Sequence, residues 1–232
     1  MALSKIDLDK AGVTGTLPTS NLDTVGVAQG GTGITSGTTD QFLKFTGTTT
    51  IASAVDNAGS LIYVGGGSTT SNVASVNLDN VFTATYDNYF LIVDMTSNGN
   101  GDAILHFRST APATMTNANY KYCMMGFDNG GGTESIYSNN DTQFQMGHGL
   151  YNNTELDYPA WSGYFYFNSP FSSTHTKTWS GNYINMASNG EQRSFAGGGC
   201  FVNQTSLGGV RLSFSSDSVN NCTARMYGIV NS

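Results

Sequence analysis

Residues able to do chemistry are few and scattered in this 232-residue chain. Its three histidines, His106, His148 and His175, stand far apart. None is spaced from another histidine, a cysteine or a carboxylate as ligands on one helix or hairpin would be, so spacing identifies no metal site. His106 alternates with Ile104 and Arg108 in an apolar run, where a structural imidazole is the expectation. Glycoside cleavage needs two carboxylates flanking one bond, and Glu134, Asp141, Glu155 and Asp157 are the acids available in the middle of the chain. They sit in Gly-, Asn- and Ser-rich stretches that read as solvated loops, and no pair can be assigned a catalytic separation. Serines abound without a Gly-x-Ser-x-Gly elbow to expose one. Cys123, Cys200 and Cys222 are odd in number and lack Cys-x-x-Cys spacing, so they read as free, partly buried thiols. The expectation is a protein without catalytic residues, metal or cofactor.

The stretch from Gly26 to Gly33, Gly-Val-Ala-Gln-Gly-Gly-Thr-Gly, invites a phosphate-loop reading. It lacks the following Lys-Ser/Thr, a preceding apolar strand and a helix to open, so that reading fails. Clustered glycines instead let chains pass close together or turn sharply.

The aromatic residues are more informative. Trp161, Tyr164, Phe165, Tyr166, Phe167, Phe171, Trp179 and Tyr183 crowd one short stretch. Strand alternation sends Trp161, Phe165 and Phe167 to one face and Tyr164 and Tyr166 to the other, so about half should be core and half exposed. Exposed rings beside Asn- and Asp-rich loops suit carbohydrate. Tyr151, Tyr158, Trp161, Tyr164 and Tyr166 are therefore candidate receptor or glycan contacts, with the loops 128–140 and 151–158 beside them. Core or trimer interface is the competing role for such a stripe.

The elements that position these rings read as strands. From Leu61 onward, strand signals recur at short spacing between Gly, Asn, Ser and Pro clusters, as in a sandwich or barrel. Strands are expected near 61–64, 73–78, 89–95, 103–108, 120–127, 142–147, 160–167, 176–184, 192–202, 210–215 and 224–230. Val210, Leu212 and Phe214 alternate with Arg211, Ser213 and Ser215, the pattern of a half-buried strand. Tyr89-Phe-Leu-Ile-Val93 is a continuous apolar run, as in a strand buried on both faces at the centre of a sheet. Helix should be minor, with a turn or two near Thr114–Asn119. Pro112, Pro159 and Pro170 fall at strand edges or in loops, where the missing N–H breaks no ladder.

Charged residues are 11% of the chain, Lys plus Arg number 9 against 16 acids, and no Lys or Arg occurs between Lys44 and Arg108. Nucleic acid and anionic membrane are poor partners for such a surface. No run approaches the roughly 18 apolar residues of a membrane span, and the N-terminus shows no secretory h-region. Residues 1–55 read as an extended, low-complexity arm. Ile6 and Leu8 face one way and Asp7 and Asp9 the other, a pattern that adds to another chain as a short strand. Apolar residues from Ala11 to Thr50 are too sparse to offset ordering entropy in a monomer, which makes partner chains the economical explanation.

Thr14-Gly-Thr-Leu-Pro18 followed by Val27-Ala-Gln-Gly-Gly-Thr-Gly33 resembles a pattern recurrent in bacteriophage tail fibres and related virion appendages. Asn80-Val-Phe-Thr-Ala-Thr-Tyr-Asp-Asn-Tyr89 and Ala224-Arg-Met-Tyr-Gly-Ile229 resemble the start and end of jelly-roll modules in phage fibres and head-associated proteins. These resemblances imply an antiparallel jelly-roll-like β-sandwich over 56–232 and an attachment arm whose assembly residues include Ile6, Leu8, Leu17, Pro18, Gly30, Gly31 and Gly33. They further imply a non-enzymatic, homotrimeric virion protein that meets other virion proteins through its arm and the host surface through its sandwich. A head fibre or capsid decoration protein fits the same residues. A polysaccharide-cutting enzyme is a third reading, one that lacks a placeable carboxylate pair. Gly31→Val should impair assembly or particle attachment while leaving the sandwich folded, measured by sedimentation and circular dichroism; normal assembly would make the glycines mere linker.

Overall fold

The computed structural model describes residues 42–45, 51–54, 61–116, 119–147, 161–187 and 190–230. Among these, every regular element is a strand. The chain divides into two units, Met1–Ala58 and Gly59–Ser232. In the first, β1 (Phe42–Phe45) and β2 (Ile51–Ala54) form an antiparallel pair with Phe42 opposite Ala54 and Phe45 opposite Ile51. This hairpin is a correction to an arm read as devoid of elements. Ile6, Leu8, Leu17, Pro18, Gly30, Gly31 and Gly33 lie outside the described residues.

The second unit is an antiparallel β-sandwich. Its strands are β3 (Leu61–Thr69), β4 (Val76–Leu78), β5 (Asn88–Ser97), β6 (Ala103–Ser109), β7 (Tyr120–Asp128), β8 (Thr133–Asp141), β9 (Phe144–Gln145), β10 (Trp161–Asn168), β11 (Lys177–Met186), β12 (Gln192–Phe201), β13 (Leu207–Phe214) and β14 (Val219–Ile229). The large sheet runs β3-β14-β5-β10-β11-β12-β7-β8 and the small one β4-β13-β6-β9.

Setting aside β7, β8, β11 and β12 leaves eight framework strands. The first pairs with the last (β3 with β14), the second with the seventh (β4 with β13), the third with the sixth (β5 with β10) and the fourth with the fifth (β6 with β9). Wrapping that long hairpin around a core brings β14 beside β5 and β13 beside β6, which is the winding of a double-sheet jelly roll. The two insertions, β7–β8 and β11–β12, both add to the β10 edge, so only one sheet is widened.

Several strand expectations are corrected. The stretch 128–140, read as a loop, is a turn followed by β8, a nine-residue strand registered on β7 with Met125 opposite Ser135. The strand expected over 142–147 is only Phe144–Gln145. No helical turn forms after Thr114, which bridges Arg108 in extended pairing. Tyr89-Phe-Leu-Ile-Val93 is central but not buried on both faces: Tyr89, Leu91 and Val93 are fully buried, whereas Ile92 is 37% exposed. β13 is more enclosed than its pattern implies, since Ser213 on its outward side is buried.

The core is aromatic. Phe107, projecting from the small sheet, stacks on Tyr120 (centroids 5.7 Å, 8° between planes) and meets Phe167, Trp179 and Phe201 of the large sheet at 5.4–5.8 Å. Glycines on the same inner face make the room these rings need. A Cβ on Gly126 would come 2.6 Å from the Phe195 ring, and one on Gly199 2.6 Å from the Trp179 ring. Gly126→Val should therefore lower unfolding free energy by about 2–4 kcal/mol, whereas Ser180→Ala, on the exposed face of β11, should change it by less than about 0.5 kcal/mol; urea unfolding monitored by tryptophan fluorescence checks both.

Candidate functional site

Registry of the large sheet fixes which side chains share its outer face. Three rows cross β5, β10, β11, β12 and β7 in that order: Ile92–Tyr164–Asn182–Ala196–Met125, Phe90–Tyr166–Ser180–Gly198–Cys123, and Asp94–Ser162–Ile184–Ser194–Phe127. One of these fifteen residues, Asp94, is charged. Tyr164 is 42% exposed, Ile184 46%, and Met125 and Phe127 66% each. A shallow depression of about 450 Å³ lies here, bounded in part by Phe90, Ile92, Tyr164, Asn182 and Ile184.

The polar groups in it are pre-arranged. Asn182 Nδ2 donates to Tyr164 Oη at 2.7 Å, and the Tyr164 ring lies 5.5 Å from Phe90 at a 40° tilt. Ser162 Oγ donates to Asp94 Oδ1 at 2.5 Å. With its phenol, amide and carboxylate each engaged by a neighbour, this face offers a flat, firm surface for packing.

Of the candidate contacts, Tyr164 and Tyr166 lie on this face. Trp161 does not: it has no exposed surface, packs on Phe165 and Tyr183, and donates Nε1–H to the Met146 carbonyl at 2.5 Å. Its inward direction follows from the alternation it shares with Phe165 and Phe167, and the structure removes it from the contact set. Tyr151 and Tyr158, like His148, Glu155 and Asp157, lie outside the described residues. Sequence reasoning did not single out Phe90, Ile92, Asn182, Ile184, Met125 or Phe127. The signal was the even-numbered half of the Tyr89–Val93 run, apolar on the side away from the core.

The remaining titratable groups serve the framework. Glu134 reaches Arg193 at 3.1 Å, and Asp141 accepts from Tyr122 Oη at 2.8 Å, so neither is a solvated loop acid. A second depression, beside Asp87 and Phe171, holds Ser172 and His175 with Oγ and Nδ1 2.9 Å apart. There the serine oxygen accepts the backbone N–H of Thr174 and His175, closing a local turn instead of standing free as a nucleophile. Lys177 is buried, its ammonium donating to the carbonyls of His175 and Asn203 at 3.0 and 2.8 Å; burial lowers its pKa. Among the described residues, no three His, Cys, Asp or Glu side chains gather as metal ligands do. Burial pushes the Cys222 thiol up to about 12, whereas Cys123 is exposed.

Comparison of the chain with protein-family models, with curated proteins and with solved structures gives no match.

His106 is the group with a pH consequence. Burial, then the Arg211 guanidinium registered opposite it, lower its pKa from 6.5 to about 4, with Asp141 partly offsetting them. Between those values the unfolded chain binds a proton that the folded one refuses, so stability is full above about pH 6.5 and falls as pH drops toward 4. Because the ring is only partly buried, the loss should be on the order of 1–2 kcal/mol. His106→Gln should flatten that slope in denaturant titrations at pH 7 and pH 5; an unchanged slope would assign it to other groups.

Proposed function

We propose that this chain is a structural protein of a bacteriophage virion, a short homotrimeric tail fibre that docks through residues 1–55 and presents its sandwich to the host surface. The observation carrying this reading is the joining, in one chain, of the Gly-Thr-Leu-Pro and Gly-Gly-Thr-Gly arm to a wound eight-strand framework. Double-sheet jelly rolls of that winding recur in viral capsid and lectin domains. Fold analogy is an associational warrant, so the arm motifs bear equal weight. The low charge, the aromatic core and the flat outer face suit a protein whose work is packing and adhesion. In this reading it acts without a catalytic centre or cofactor and resides in the assembled particle.

Mass spectrometry of purified particles, with immunogold labelling by antibody to the sandwich, tests the proposal. The chain should be found on the tail, and deletion of residues 1–55 should abolish particle association without unfolding residues 59–232. Absence from particles, or association unaffected by the deletion, would overturn it; label on the head would make it a head fibre or decoration protein.

A further inference from the structure

The outer face of the large sheet is costly to leave in water. Ile92, Ile184, Met125 and Phe127 lie on one surface with Tyr164 and Phe90, each fixed by strand register instead of by a mobile loop. Single exposed apolar side chains are ordinary; a contiguous set on one sheet face marks an interaction surface.

We propose that this face is where a second copy of the chain seats, with the β5–β10–β11–β12–β7 surface of each protomer forming the sandwich contacts of the homotrimer. The inference rests on the trimeric reading above and assigns its interface. Three observations select a second copy over a sugar or a dissimilar protein. The first is area: eight strands at about 4.8 Å spacing and four outward positions along each strand cover about 34 by 20 Å, near the ~800 Å² per partner of a standard interface. The second is composition. Tyr, Phe and Met with almost no charge describe an interface core, and the exposed charges Arg225, beside Ile92 across β14, and Lys121, at one end of β7, lie at the margin as in an interface rim. The third is electrostatic. The chain carries −7 overall, so copies repel one another except where such a face is turned inward. A sugar platform would instead need polar groups free to bond hydroxyls, and here Tyr164 with Asn182 and Ser162 with Asp94 are already paired.

Cys123 is a natural reporter, exposed on this face next to Met125. The full-length chain and its Met125→Glu/Ile184→Glu double variant are compared by sedimentation and by N-ethylmaleimide labelling of Cys123, read by peptide mass spectrometry. Near-UV circular dichroism checks that the double variant keeps its packing. Wild type should sediment as a trimer and label at least about tenfold more slowly than the variant. The added carboxylates themselves slow thiolate formation, so the comparison is biased against this result. A wild-type trimer whose Cys123 labels at the variant's rate overturns this interface and leaves the virion reading intact. A monomeric wild type overturns the interface together with the trimer, and particle association then judges the virion reading separately. A monomer whose Tyr164 resonances shift on titration with maltoheptaose overturns it in favour of sugar.

Discussion

The sandwich depends on large rings laid over bare backbone. On the inner face of the large sheet, Trp161, Phe165, Tyr183 and Phe195 each border a glycine on the adjacent strand: Gly163, Gly181 and Gly126 stand where a Cβ would meet one of those rings. Tyr183 stacks on Trp161 at 5.4 Å and on Phe195 at 4.9 Å. Rings this large can lie nearly parallel across neighbouring strands only if the strand between them has no side chain to lift them. The 29 glycines and 27 Phe, Tyr and Trp residues of the composition are thus partly one feature. Such glycines cost backbone entropy and weaken each strand alone, so their sheet is stable chiefly as part of the packed whole.

That packing also decides what the jelly roll can accept. The eight framework strands alone would give two sheets of four. Inserting β7–β8 and β11–β12 on the same edge doubles one sheet and leaves the other at four, which the small sheet accommodates because Phe107 and Phe144 reach across to rings of the extension, Tyr120, Tyr122 and Trp179. The consequence lies on the opposite side. A sheet twice as wide as its partner has an outer face twice as wide, and in this chain that face is uncharged over its middle.

Alternation made the fold legible wherever one face of a strand was polar. It placed Tyr164 and Tyr166 outward and Phe165 and Phe167 inward. The same rule sends Trp161 inward, so its place among the candidate contacts rested on residue type and not on pattern. The rule misleads for Tyr89–Val93, because outward Phe90 and Ile92 are as apolar as the core; a strand facing a partner reads like a strand facing the interior. It is silent for β8, Thr-Glu-Ser-Ile-Tyr-Ser-Asn-Asn-Asp, where Ile136 is the buried apolar residue and pairing with β7 holds an otherwise loop-like composition in extended form. The candidate face was even less legible, since its rows join residues from five strands separated by up to 106 positions, from Phe90 to Ala196, and only strand order brings them together.

Where the few cations lie completes the account of that bare face. The second unit has six: Arg108, Lys121, Lys177, Arg193, Arg211 and Arg225. Arg108 is buried against Asp79, with further bonds to the Pro112 carbonyl and Thr114. Lys177 is held by two carbonyls, Arg193 spans Glu134 and Glu191, and Arg211 lies beside His106 on the small sheet. Four of six cations are therefore committed to the interior or to the small sheet, leaving Lys121 and Arg225 for the broad face. Charge is the usual means by which a sheet surface is kept from associating. Withholding it from the widest and flattest surface, while retaining charge where cores ordinarily exclude it, is the arrangement of a protein whose broad sheet face is meant to be covered.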